Sequence, residues 1–218
     1  MFQEVMAMIR KELLIEWKQK YAFNGLMLYV ASMVIVIALS FGQILGPMAW
    51  NVLYWIMVLF AAINAVGKSF LADDQGQQLY LYALAHPTAV IVGKMIYNFA
   101  LLLLVSGLTM GLFLLIGGIE VGHPDWLAGL AVAGSAALAA NLTIVAAVAA
   151  RAENKTTLLA VLGFPIIIPV LFLLIRLSSE AISATGAGLD LDALLFLGGI
   201  TVVLAVLSVL LFPFVWRA

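Results

Sequence analysis

The residues best suited to chemistry in this chain are Gly67, Lys68 and Ser69, which resemble the end of a nucleotide-phosphate-binding loop. Such a loop needs a further glycine five residues before Gly67 and a strand that precedes it. The chain has Ala62 at that position, and the residues before it form a continuous apolar run with no strand pattern. The sequence therefore predicts no nucleotide site, so the energy for any work must come from a partner or an ion gradient.

Two histidines, His86 and His123, are the remaining candidates, because either could ligate a metal or haem iron. Each stands alone in a polar stretch, where a histidine is more often solvated than a ligand. Cysteine is absent, which excludes disulfides and thiolate ligands. No nucleophile–base pair can be assembled either. We therefore expect no catalytic site, no metal site and no cofactor bound by this chain.

The main polar feature is the polar island, the stretch from Lys68 to Lys94 between two long apolar runs. Asp73 and Asp74 suit the start of a helix, because carboxylates interact favourably with its free N–H groups and positive dipole end. Pro87 limits that helix. Such a helix can lie on lipid or dock in the groove of a partner, and the residues alone favour neither. Its apolar surface would consist of Leu79, Tyr80, Leu81, Tyr82 and Leu84.

The sequence around the polar island is suited to lipid. Of 218 residues, 66% are hydrophobic and 10% are charged, whereas soluble domains are about half apolar and about a quarter charged. Runs of about 20 uncharged residues can cross a hydrocarbon core of roughly 30 Å, and they do not alternate with period two as barrel strands do. We expect an all-α integral membrane protein with one domain over residues 1–218. The predicted spans lie at about 22–41, 49–67, 94–118, 126–150, 156–176 and 192–216.

The lysines and arginines predict the orientation. Of the ten basic residues, all but Arg176 fall on one side of a six-span arrangement. Because cytoplasmic loops carry an excess of Lys and Arg, we expect both termini and the polar island in the cytoplasm. The net charge of −1 argues against nucleic acid as a partner.

The first twenty residues have the pattern of an amphipathic helix. They carry three glutamates and no A-x-A-like cleavage site, so they do not form a signal peptide. We expect an interfacial helix at about 2–20, lying in the cytoplasmic membrane surface; the alternative is a simple N-terminal extension of the first span. Its apolar residues at helical spacing are Phe2, Val5, Met6, Ile9, Leu13 and Trp17.

Small residues and prolines predict how the spans pack. Gly107 and Gly111 have the spacing of close helix packing, and the fourth span is rich in Gly, Ala and Ser. We expect these two helices to pack inside the protein or against another subunit. Pro165 and Pro169 each remove a hydrogen bond from the fifth span, which predicts either a static kink or a moving hinge. No charge lies centrally in a span, which disfavours an ion-coupled carrier, a stand-alone channel and an intramembrane enzyme.

The run from Asn64 to Asn98 resembles the CcmB family, haem exporter protein B, which is the membrane subunit of the cytochrome c maturation ABC transporter. The stretch from Leu162 to Ser178 resembles the fifth span of that family, and the amphipathic start and six-span length also match. Gln77 and Gln78 depart from the pattern, since many relatives carry Thr-Leu there. The matching residues in the polar island are Lys68, Phe70, Asp73, Asp74, Gly76, Leu79, Leu81, Leu84 and Pro87.

The resemblance implies a type V ABC exporter-like permease that lacks its own ATPase. Two copies would pair with two copies of a cytoplasmic ATPase subunit, CcmA, which binds ATP, and with a haem-handling subunit, CcmC, in the bacterial inner membrane. ATP hydrolysis would drive release of the haem-loaded chaperone CcmE, with haem itself as a candidate cargo. Without the family match, an ABC permease for lipid, polysaccharide or drug stays open. The polar island would be the coupling helix, docking through Phe70, Asp73, Asp74, Gly76, Leu79, Leu81, Tyr82, Leu84 and Pro87.

Overall fold

A computed structural model of the chain describes residues 1–19, 21–41, 46–71, 85–117, 119, 121–150, 155–183 and 190–217. No strand occurs among these residues, which confirms the predicted all-α class. The helices that they form are α1 (Phe2–Gln19), α2 (Tyr21–Phe41), α3 (Pro47–Leu71), α4 (Pro87–Gly117), α5 (Pro124–Ala149), α6 (Lys155–Ile182) and α7 (Leu191–Arg217).

Six of the described helices are long and apolar enough to cross a membrane, as the sequence predicts. α1 is not one of them, because charged residues recur along its length. The candidate spans are Asn24–Phe41, Pro47–Gly67, Pro87–Ile116, Pro124–Ala149, Thr157–Ile182 and Leu191–Trp216.

Two helices extend past the charged residues that bound the predicted spans. α4 begins at Pro87 rather than at 94, and α6 continues to Ile182 rather than ending at 176. A proline suits the first position of a helix, because its missing N–H needs no partner there. The predicted boundaries followed the charges of Lys94 and Arg176, but each of these side chains forms an ion pair with a carboxylate and stays within its helix.

α5 lies at the centre of the bundle, where its small residues let other helices approach closely. The indole ring of Trp55 on α3 packs on Gly134, and a Cβ at Gly134 would come within 2.5 Å of that ring. On another face of α5, Thr143 accepts a hydrogen bond of 2.9 Å from the Asn98 side-chain amide of α4. Most of the α5 side chains are buried, which confirms that the fourth span packs inside the protein.

Hydrogen bonds between side chains fix α3 against its neighbours. The Tyr54 hydroxyl lies 2.6 Å from Ser106 Oγ on α4, and the Trp55 indole N–H donates to Ser178 Oγ on α6 at 2.9 Å. All four side chains are buried. Because polar groups surrounded by lipid and apolar side chains need partners, these bonds favour one arrangement of α3, α4 and α6.

Candidate functional site

The polar island connects the end of α3 with the start of α4, so these two helix ends would receive any force that acts on it. Phe70 lies within α3 and Pro87 is the first residue of α4. The docking role of the island stays a prediction. Residues 72–84 lie outside the described residues, and they include Asp73, Asp74, Gly76, Leu79, Leu81, Tyr82 and Leu84.

His86 caps the start of α4. Its carbonyl oxygen accepts hydrogen bonds from the N–H groups of Ala89 at 2.9 Å and Val90 at 3.2 Å. Its ring Nδ1 lies 2.9 Å from Thr88 Oγ1, and the side chain is exposed. Together with Pro87 at the first helical position, these bonds define where α4 begins within the polar island.

The polar island begins next to a buried part of α3. Ala65, Val66 and Gly67 are buried, and a Cβ at Gly67 would lie 3.9 Å from Leu159 Cδ1 at the start of α6. Near the opposite end of α3, the Asn51 side-chain amide donates to a carbonyl of α6 at 2.7 Å. α3 therefore contacts α6 near both of its ends, and a displacement of α3 would act on α6 directly.

The start of α4 is held by α1. A Cβ at Gly93 would come within 2.8 Å of Met8 Cβ, so glycine is what permits α1 to pack this closely. One residue further, Lys94 Nζ lies 3.0 Å from Glu12 Oε1, and both side chains are buried. Removing one partner of a buried ion pair leaves an uncompensated charge and typically costs about 3–5 kcal/mol. The pair therefore fixes α1 to the helix that follows the polar island.

A second polar contact extends the junction along α1. The Tyr97 hydroxyl of α4 donates to Glu16 Oε2 at 3.2 Å. Met8, Glu12 and Glu16 recur every four residues and so lie on one face of α1. α1 uses this face to pack on α4, and it contacts α4 more extensively than it contacts α2.

The proline-bearing helix is continuous. α6 runs from Lys155 to Ile182 through Pro165 and Pro169, whose side chains are both exposed. A proline removes the hydrogen bond to the carbonyl four residues earlier, so two carbonyls of α6 lose their usual donor. The choice between a static kink and a moving hinge stays a prediction.

The predicted packing glycines face away from the bundle. Gly107 is exposed, and a Cβ at Gly107 or Gly111 would meet no described atom within 4 Å. No helix in the described part of the chain covers them. Their packing against another subunit stays a prediction.

His123 takes part in packing at the far end of the bundle from His86. Its backbone N–H donates to the Ala181 carbonyl of α6 at 2.9 Å, and its ring stacks on Trp126 with the ring centroids 4.1 Å apart. Nearby, Arg176 forms a 2.6 Å ion pair with Asp190 that joins the end of α6 to the start of α7. Among the described residues, no group of three His, Cys, Asp or Glu could hold a metal ion.

The junction between α1 and α4 was not predicted from the sequence. In the sequence, Glu12 is one acid of the first twenty residues, and Lys94 indicates orientation and the boundary between the polar island and the third span. One signal was available: Glu12 and Glu16 are four residues apart, next to the apolar stripe of an amphipathic helix. Two carboxylates at that spacing share a face and need partners if the face is buried.

The family model described as CcmB protein matches residues 3–218 of this chain. The match covers α1, the polar island and all six candidate spans. A search of curated proteins found no match.

Proposed function

This chain belongs to the CcmB protein family, and we propose that it is the mechanical transmitter of an ABC transporter. The family provides the membrane subunit of the transporter for haem export in cytochrome c maturation. With six helices long enough to span a membrane among the described residues, the chain is a multi-pass membrane protein.

In this proposal, two copies of the chain lie in the bacterial inner membrane with both termini in the cytoplasm. Each polar island docks as a coupling helix on a cytoplasmic ATPase subunit, CcmA, which binds and hydrolyses ATP. The membrane subunit CcmC handles haem, and the chaperone CcmE receives it. The chain itself has no catalytic role: it converts ATP-driven closure of the ATPase into movement that releases haem-loaded CcmE.

One observation carries this proposal: both helices that flank the polar island are anchored to other helices close to it. Gly67, at the end of α3, packs on Leu159 of α6. At the start of α4, Lys94 is paired with Glu12 of α1. Tightly packed helices move as units rather than deform continuously. A displacement of the polar island by the ATPase would therefore move α3 together with α6 and α4 together with α1.

The distribution of polar groups supports a transmitter over a haem conduit. Haem is large and apolar with two propionates, so a conduit is expected to offer an iron ligand or a basic group midway through the membrane. His86 and His123 lie at the starts of α4 and α5. In the described spans, the basic residues Lys94 and Arg176 lie toward helix ends, and both are engaged by carboxylates.

Two strains test the proposal: one with the partner ATPase unable to hydrolyse ATP, and one in which this chain carries His86→Ala and His123→Ala. The hydrolysis-deficient strain is expected to accumulate CcmE that carries haem yet stays bound to the assembly. The double histidine variant is expected to mature c-type cytochromes normally. CcmE that lacks haem in the hydrolysis-deficient strain would contradict the proposal and make direct haem export the better account.

A further inference from the structure

α1 has an apolar face that the rest of the described chain leaves uncovered. The exposed fractions of Phe2, Met6, Leu13 and Trp17 are 78%, 52%, 55% and 78%. These residues lie beside the face that packs on α4, and not on it. α1 therefore has two contact surfaces: one packs on α4 of the same chain, and the other is free to contact a molecule outside the described chain.

The level of α1 along the bundle indicates what that second surface meets. The span of α4 ends at Ile116, and Lys94 lies 22 residues before it. At 1.5 Å per residue this corresponds to about 33 Å, close to the roughly 30 Å thickness of a hydrocarbon core. The Lys94–Glu12 pair therefore lies near one boundary of the hydrocarbon, and α1 lies there with it.

The acidic and basic residues of α1 are distributed unequally between its two surfaces. By sequence the helix is neutral, with the acids Glu4, Glu12 and Glu16 against three basic residues. Glu12 and Glu16 turn toward α4, where Lys94 and Tyr97 engage them. Lys11 lies 3.7 Å from Glu12, and Glu4 lies 3.7 Å from the N-terminal amino group. Arg10 and Lys18 therefore remain as the basic residues that no carboxylate among the described residues engages.

The outward basic residues lie close to the apolar face. Arg10 is one turn from both Met6 and Leu13, and Lys18 is one turn after Leu14, whose exposed fraction is 50%. Both basic side chains are exposed, and neither forms an ion pair with another described residue. Near an anionic membrane surface, each such residue attracts headgroups with about 1 kcal/mol, which is about fivefold in affinity.

We propose that α1 binds anionic phospholipid. Arg10 and Lys18 contact headgroup phosphates, while Phe2, Leu13 and Trp17 insert below them into the boundary between headgroups and acyl chains. The occupant is lipid rather than a protein groove, because this face lies at the hydrocarbon boundary and carries a basic rim beside its apolar residues. The inference does not depend on the transported substrate or on the proposed coupling role.

The absence of cysteine makes the test direct, since Leu13→Cys creates a unique site for a fluorescent bimane label. The labelled full chain is placed in lipid nanodiscs that contain brominated phosphatidylglycerol or brominated phosphatidylcholine at equal mole fraction. We expect the brominated anionic lipid to quench the label more strongly. Adding Arg10→Gln and Lys18→Gln should lower this preference by about fivefold for each residue, while Arg10→Lys with Lys18→Arg should retain it.

Val202→Cys, on an exposed part of α7, is the matched control and should be quenched equally by both lipids. Equal quenching of the Leu13 label by the two lipids would overturn the proposal, because headgroup charge would then play no part. Quenching by neither lipid would also overturn it. A loss of quenching when the complete transporter assembles would mean that a protein partner occupies this face instead.

Discussion

Lys94 of α4 and Glu12 of α1 form a buried ion pair in which Nζ and Oε1 are 3.0 Å apart. The pair joins the N-terminal helix to the base of the helix that follows the polar island. Each charge stabilises the other in this position, because transfer of a charge out of water is strongly unfavourable, and Lys11 Nζ lies 3.7 Å from the same Glu12 oxygen. The pair therefore ties the positions of the two helices together.

Removing one member of this pair should destabilise the protein more than removing both. Lys94→Met leaves the buried Glu12 without its 3.0 Å partner and with Lys11 at 3.7 Å, so we expect a loss of up to about 3–5 kcal/mol in the free energy of unfolding. The double variant Glu12→Leu with Lys94→Met should recover most of that loss. Thermal or denaturant unfolding of the four proteins in nanodiscs measures this as a double-mutant cycle.

The exposed pair between Arg176 and Asp190 is the control for this experiment. Arg176→Gln should change the unfolding free energy by about 1 kcal/mol or less, because exposed ion pairs contribute little. Additive effects of the two substitutions at Lys94 and Glu12 would mean that the side chains are not coupled.

The close approach of α1 should make Gly93 intolerant of even a methyl group. A Cβ there would come within 2.8 Å of Met8 Cβ, and overpacking of this kind costs about 1–3 kcal/mol. Gly93→Ala should lower stability although alanine favours helix more than glycine does. Unfolding measurements should show that Gly93→Ala combined with Met8→Gly costs less than the sum of the two single substitutions.

Gly129 of α5 provides the comparison, because a Cβ there would meet no described atom within 4 Å. Gly129→Ala should be neutral or stabilising. Equal effects of Gly93→Ala and Gly129→Ala would argue against the packing of α1 on α4.

Cysteine labelling tests the predicted orientation, which rests on the nine-to-one distribution of basic residues. A cysteine in place of Thr185 should react with an impermeant maleimide in intact cells. Gln77→Cys and Lys155→Cys should react only after the membrane is permeabilised. Labelling of Gln77→Cys from outside would contradict both the orientation and the docking of the polar island.

Charged substitutions in the polar island should weaken recruitment of the ATPase. Burial of one leucine contributes about 1.5–3 kcal/mol, so Leu81→Asp or Leu84→Asp should reduce the amount of CcmA that co-purifies by tenfold or more. Gln75→Asp adds the same charge without removing an apolar side chain and should have less effect. Normal CcmA recovery with every charged variant from Leu79 to Leu84 would show that this surface does not dock.

The sequence by itself determined that the chain is helical and has six segments long and apolar enough to cross a membrane, as the described residues confirm, because hydropathy and run length are local properties of each segment. It also indicated that α5 packs closely, since a helix of Gly, Ala and Ser has little side chain to keep neighbours away, but only the structure decided that α5 packs inside the protein rather than against another subunit. The ion pair between Lys94 and Glu12 could not be predicted from the sequence. Whether Lys94 ends a span or continues a helix depends on Glu12, which is close only after α1 has packed on Gly93. A lysine next to solvent and a lysine held by a buried carboxylate have the same local sequence, so only the tertiary structure decided between them.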